Sequence, residues 1–401
     1  MNAPSCVSVL AFLTSAALTL PGSESRAPGA KTPIVDTGQA RCYGNFREIP
    51  APDSGQPFHG QDAQYLGLQS AYRDNGDGTV TDLHTHLMWQ KTPSFEHYTW
   101  AEAAVCAQEL RLAGYDDWRV PTIKELYSIV LFTGNLHELM PYLDTDTFDF
   151  AYPDTSLGYR IMDAQYWSSN KYVGTTMFGD LSAFGFNFAD GRIKSYPTGE
   201  GRGPTKRTFV RCVRGAEGYG VNDFVDNGDG TITDRATDLM WMKFDSGATM
   251  NWEQALRHAE DLEHAGHDDW RLPNARELQS IVDYSRAPDA ADPNMRSAAI
   301  DPIFDLTETE SWFWTSTTHG DNTSHAIYIC FGRALAYDRW TGDFDVNAHG
   351  AGAQRSDPKQ GDSSRWPYGL GPQADQIRIY NYVRCVRGGD VQSTHEGEAG
   401  R

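Results

Sequence analysis

Two near-identical turns carry the densest oxygen chemistry in the chain. DNGDG at 74–78 recurs at 226–230, gathering Asp74, Asn75 and Asp77, with Asp82 close behind, and then Asp226, Asn227 and Asp229, with Asp234. Clustered carboxylate and amide oxygens suit a hard cation, and calcium is the ion they would take. The alternating carboxylates of an EF-hand are missing, however. The same residues make a hairpin turn for backbone reasons alone, with Gly and Asn supplying positive φ and Asp accepting local N–H groups. The turn is the simpler reading, and calcium is its functional alternative.

A carboxylate–guanidinium group, DDWR, also occurs twice, at 116–119 and 268–271. Its place beside a glycine and before a proline fits an ion pair locking the joint between two helices better than a catalytic pair. Glu125 and Glu277 are explained as helix caps. His84 and His86 flank Thr85, but the matching positions are Ala236 and Asp238, so a surface pair on a strand is expected rather than a metal pair. No GxSxG elbow, phosphate-cradling glycine loop or HExxH helix is present, and the expectation is a protein that is not an enzyme.

One segment has no equal elsewhere in the chain. Residues 339–380 hold Trp340, Trp366 and Tyr368 beside Asp343, Arg355, Asp357 and Asp375. Flat aromatic faces cover the C–H faces of a sugar while carboxylates bind its hydroxyls, which makes these seven residues the candidate ligand site. A connection of about forty residues is uncommon unless it is functional or disordered. The alternative is a loop that covers the sheet or the other repeat.

The elements that must position these groups follow from an internal duplication. Shifted by 152 positions, DNGDGTVTDLHTHLMWQK falls on DNGDGTITDRATDLMWMK, Trp100 on Trp252, and AGYDDWRVPTIKELYSIV on AGHDDWRLPNARELQSIV. YWSS and FWTS follow, then FVRCVRG and YVRCVRG. A period this long denotes whole domains rather than a solenoid. The expected boundaries are 72–215 and 222–388, joined by AEGYG and preceded by an extension over 26–71. Residues 389–401 form a polar tail.

Each repeat should open on a strand hairpin and continue into two helices. Thr99 with Glu102, Thr122 with Glu125, Asn251 with Gln254 and Asn274 with Glu277 have capping-box spacing. Trp100, Ala103, Ala104, Ala107 and Leu110 form one helical stripe, and Ile123, Leu126, Ile129 and Val130 another. Gly114 and Gly266 are expected to end the first helix of each repeat. Short aromatic strands complete an α+β domain, two helices on an irregular, mostly antiparallel sheet.

Beyond an N-terminal stretch, five cysteines remain. Residues 1–25 read as a signal peptide, apolar from Val7 to Leu20 and then rich in small residues. One bridge per repeat is the economical pairing, Cys106 with Cys212 and Cys330 with Cys385, each worth roughly 4 kcal/mol, with Cys42 left over. No other stretch is long and apolar enough to span a membrane. The net charge of −20 repels nucleic acid and anionic surfaces.

In combination, the DNGDGTxTD hairpin, the LMW triplet, the Trp-led helix, DWRLPxxxEL, WSS and the terminal VRCVRG resemble the Lcl C-terminal domain family, in two tandem copies. The resemblance implies a fold similar to C-type lectin and formylglycine-generating-enzyme domains. It also implies adhesion through glycosaminoglycans, although the acidic charge and the missing Gly-X-Y segment depart from that picture. The expectation is an exported binding protein, secreted, periplasmic or on the bacterial surface, whose partner is a glycan. An envelope protein is the alternative partner, and an enzyme on the formylglycine-generating scaffold is a second alternative.

Overall fold

The computed structural model describes residues 31–394 apart from 178, 202 and 390. The expected signal peptide and most of the polar tail lie outside the described residues. The first hairpin comprises β1 (Tyr72–Asp74), β2 (Thr79–Asp82) and β3 (Met88–Gln90). Helices α1 (Trp100–Glu109) and α2 (Ile123–Ser128) follow. Then come β4 (Gln165–Lys171), β5 (Ser182–Asn187), β6 (Arg192–Pro197) and β7 (Val213–Arg214). The second repeat runs in the same order: β8 (Phe224–Asp226), β9 (Thr231–Asp234), β10 (Leu239–Met242), α3 (Trp252–Glu260) and α4 (Ala275–Ser280). It ends with β11 (Trp312–Thr318), β12 (His325–Cys330), β13 (Gln354–Pro358) and β14 (Val386–Gly388).

All four capping boxes form, the side chain at each N-cap accepting from the third helical N–H and the acidic or amide side chain reaching back. Helix α1 stops at Glu109, well before Gly114. Gly114 instead takes φ +81 in the tight link between Leu112 and Tyr115. In the opening turns Gly76 and Gly78 carry the positive φ angles. Asn75 contributes its side chain, donating to Thr79 and Thr81 at 2.9 and 3.0 Å.

The two repeats share one sheet. Strands run β11-β12-β13-β6-β5-β4, so β13 of the second repeat pairs with β6 of the first. Ladder registers carry Tyr166 to Phe186 to Ile193, and the matching Phe313 to Ile329 to Gln354. Ile193 and Gln354 are therefore equivalent positions, and they face each other across the seam. Equivalent residues of antiparallel strands meet in this way only on a two-fold axis, so the seam has the geometry of an isologous dimer contact within one chain.

One face of this sheet packs on α2 and α4 in a single core drawn from both repeats, including Leu126, Phe186, Ile193, Leu278, Phe313 and Ile329. The other face carries two separate clusters, α1 with Trp167 and Ala183 at one end and α3 with Trp314 and Tyr328 at the other. Alternation along each strand divides the residues between the faces. The N-terminal extension straps this assembly. Thr37 and Thr317 both donate to the buried Asp62, at 2.8 and 2.6 Å, and Gln39 exchanges two hydrogen bonds with the Thr318 backbone.

The expected disulfides are absent: no sulfur–sulfur bond joins Cys106 to Cys212 or Cys330 to Cys385. Each pair lies within one apolar cluster, where thiols pack as small hydrophobes. Burial pushes the Cys42 thiol up to about 11 and the Cys385 thiol up to about 12, and it raises Cys330 further. The thiolate is the nucleophile. Iodoacetamide at neutral pH is therefore expected to leave Cys42, Cys330 and Cys385 unmodified until denaturant is added. Peptide mapping that finds any of the three alkylated in the native protein at the rate of an exposed thiol would contradict this burial.

Candidate functional site

The DDWR motifs resolve into two ion pairs each. Asp117 pairs with Arg214 at 2.6 Å, and Asp269 with Arg387 at 2.6 Å, tying the inter-helix joint to the last strand of each repeat. Arg119 and Arg271 turn the other way and grip Glu125 and Glu277 with two hydrogen bonds apiece. The carboxylate and guanidinium of each motif thus take separate partners rather than each other, and the capping glutamates also serve as ion-pair partners.

The DNGDG oxygens are occupied by local donors. Asp74 and Asp226 accept from the N–H of Gly76 and Gly228 and pair with Lys91 and Lys243. Asp77 and Asp229 accept from the backbone and hydroxyl of Thr79 and Thr231. Asp82 accepts from His84 and Thr85, and Asp234 from Asp223 and Ala236. Each carboxylate faces N–H and O–H groups rather than a common centre. Among the described residues no group of three or more His, Cys, Asp or Glu converges as a metal site. These hydrogen bonds build the two turns.

The segment 339–380 is not one loop. Strand β13 passes through its middle, dividing an insertion over 331–353 from a second over 359–381. In the first repeat the corresponding connections are residues 188–191 and 198–208. The seven expected ligand residues separate accordingly. Trp340 and Asp343 sit at the turn of a two-stranded ribbon, Leu335–Tyr337 with Phe344–Asn347. Trp340 is 83% exposed and Tyr368 67% exposed. Trp366 is half-buried after a short helical turn. Arg355, Asp357 and Asp375 instead meet in a cavity beneath.

That cavity lies at the centre of the sheet's outer face, on the seam between the two lateral clusters. Its volume is about 180 Å³, and Asp190, Arg192, Lys194, Arg355, Asp357 and Asp375 supply its charge. Arg192 and Lys194 alternate with the core residue Ile193 on β6, and Arg355 and Asp357 share their face on β13. The segment Leu370–Asp375 forms one wall. The same segment bonds to the ribbon through Ala336 and Tyr337, and the Tyr337 ring meets Tyr368 at 5.2 Å and Phe344 at 5.5 Å. An aromatic cluster, with Tyr368 exposed and Tyr337 and Phe344 half-buried, thus stands beside a charged hollow.

The charges are unequally satisfied. Asp375 accepts from His349 at 2.8 Å and pairs with Arg355. Burial works against it, yet Arg355 and His349 hold its carboxyl far below the usual range. Asp190 pairs with Arg192 at 3.0 Å. Burial pushes Asp357 up to about 7 despite the Arg378 N–H it accepts, and its Oδ1 has no hydrogen-bond partner. Burial, then Arg355, lowers Lys194 to about 7. Lys194 makes no hydrogen bond or ion pair with any described residue.

Sequence reasoning missed Asp190, Arg192, Lys194 and His349. A signal was present in GRIKSY, where two cations alternate with an apolar residue on a strand. The strand's central position gives that pattern its meaning, and the sequence does not reveal the position. A family model for the Lcl C-terminal domain matches residues 78–214 and 230–353, the second match ending immediately before β13. No curated protein matches the chain. Matched twice, over more than half its length, the chain belongs to the Lcl C-terminal domain family and carries two tandem copies of that domain.

Proposed function

We propose that this protein is an exported, non-catalytic glycan-binding protein acting in adhesion at the bacterial cell envelope, and that each copy has a C-type-lectin-like fold. The observation that carries the reading is an aromatic cluster, exposed Tyr368 with half-buried Tyr337 and Phe344, beside the polar seam cavity. Aromatic faces stack on the apolar side of sugar rings, and convergent polar groups then fix orientation. The hollow holds roughly six water volumes at ~30 Å³ each, which suits one sugar unit rather than a chain. The chain of sugars lies along the aromatic cluster.

A glycan array probed with the full protein, with calcium and with chelator, tests this reading. Binding to a restricted set of glycans is expected, and it survives chelation because the turn carboxylates are already satisfied. Tyr368→Ala should weaken the best hit about tenfold (~1.4 kcal/mol), with the melting temperature unchanged because the ring is exposed. Silence across neutral and acidic glycans would sink the proposal. So would full-strength binding by the Tyr368→Ala variant.

A further inference from the structure

The two-fold axis makes Lys194 and Arg355 symmetry mates, since each follows one of the paired residues Ile193 and Gln354. Their surroundings are not symmetric. Arg355 is held by Asp375, which comes from an insertion that the first repeat lacks. Where Arg355 has an insertion to neutralise it, Lys194 has only the four-residue turn 188–191. The result is an amine at the cavity wall with no partner, between two guanidinium groups that each already hold a carboxylate.

Lys194 is half-buried, and its amine lines the cavity without a partner of its own. We propose that Lys194 is a covalent capture site for small carbonyl compounds that carry an adjacent carboxylate, the 2-oxo acid class. The neutral amine attacks the carbonyl carbon, a proton passes from nitrogen to the carbonyl oxygen, and the carbinolamine loses water to leave a C=N bond. Amine and carbonyl thus give imine and water, with no change of oxidation state. Asp357 lines the same hollow, and its unpartnered Oδ1 can carry the proton that the departing hydroxyl takes. Arg192 and Arg355 stand on the same face of the sheet, where an incoming carboxylate would share their guanidinium groups with Asp190 and Asp375.

Electrostatics support the geometry. Around Lys194 the cavity presents Arg192, Arg355, His325 and His349 against Asp190, Asp357 and Asp375. His325 and His349 are both held down to about 4, chiefly by burial, and are neutral at physiological pH. Lowered to about 7, the amine is available as a nucleophile near neutrality, where an ordinary lysine is protonated.

The test uses the full chain with glyoxylate and cyanoborohydride, which reduces the imine and fixes it, followed by peptide mapping. At pH 7 the Lys194 adduct is expected to exceed that on exposed Lys31 and Lys171 by at least tenfold, and acetate should compete. Propanal, which lacks the carboxylate, should lose the preference. Labelling of Lys194 should reach half its maximum near pH 7. Labelling spread evenly over surface lysines, or absent from Lys194, would overturn the proposal, and so would a preference unaffected by acetate. Lys194→Arg provides a control that keeps the charge and removes the adduct. The outcome is independent of glycan recognition, because an array hit without an adduct removes only the capture chemistry.

Discussion

Replacing Glu277 with alanine is expected to destabilise the protein by about 3–5 kcal/mol, the range for stranding one member of a buried ion pair. Arg271 and Glu277 are 5% and 2% exposed, and they meet through two hydrogen bonds of 2.6 Å. Glu277 Oε2 also accepts the Asn274 N–H at 2.9 Å, so the substitution removes a helix cap as well, worth about 1 kcal/mol. Among the described residues, the guanidinium left behind keeps one hydrogen bond, to the Gly388 carbonyl at 3.2 Å, and its place over the Tyr65 ring at 5.5 Å. The matching Glu125→Ala should cost less, because Arg119 is 21% exposed and water can solvate it. Urea denaturation of both variants measures the difference. Equal losses at the two sites would show that burial of the arginine does not set the cost. Glu277→Gln, which retains an acceptor for the cap, should fall between wild type and alanine.

These pairs mark where the sequence was legible. The capping boxes could be read because they are local, with donor and acceptor three residues apart. The helical stripes could be read because α2 buries the residues that the periodicity selects, with Ile129 and Val130 just past its end. The duplication suggested that DDWR forms ion pairs, but not that Asp117 and Arg119 take different partners, since Arg214 lies far along the chain. Arg211 and Arg384 were missed altogether. Each is fully buried and donates to three backbone carbonyls, Arg384 to those of Met242, Lys243 and Asp305. Nothing in VRCVRG distinguishes such an arginine from a surface one. The cavity was half legible. Composition singled out Arg355, Asp357 and Asp375, yet β13 within the same segment was taken for loop. Its partner is β6 of the other repeat, and a pairing over that separation leaves no local trace.

Separating the repeats is expected to abolish the monomeric fold of both. A repeated sequence suggests two self-sufficient globules, but the core on α2 and α4 draws residues from each copy, and the helices touch across the axis. Cutting at 216–220 would expose that core face together with the unpaired edge of β6 or β13. It would also break polar bridges: Lys124 donates to the Ser280 carbonyl at 2.7 Å, Arg276 to the Val130 carbonyl, and Ser195 to the His349 carbonyl at 2.8 Å. An exposed apolar face with a free strand edge associates or aggregates. The two-fold geometry predicts the form that association takes. Because Ile193 sits on the axis, two copies of 72–215 can pair β6 with β6 and rebuild the seam as a homodimer, and such a protomer has no stable folded monomer. Sedimentation of each half should therefore show a dimer or insoluble material, and co-expression of both halves should restore a one-to-one complex. A soluble monomeric half that unfolds cooperatively would show that each repeat folds alone and that the shared sheet is only a docking contact.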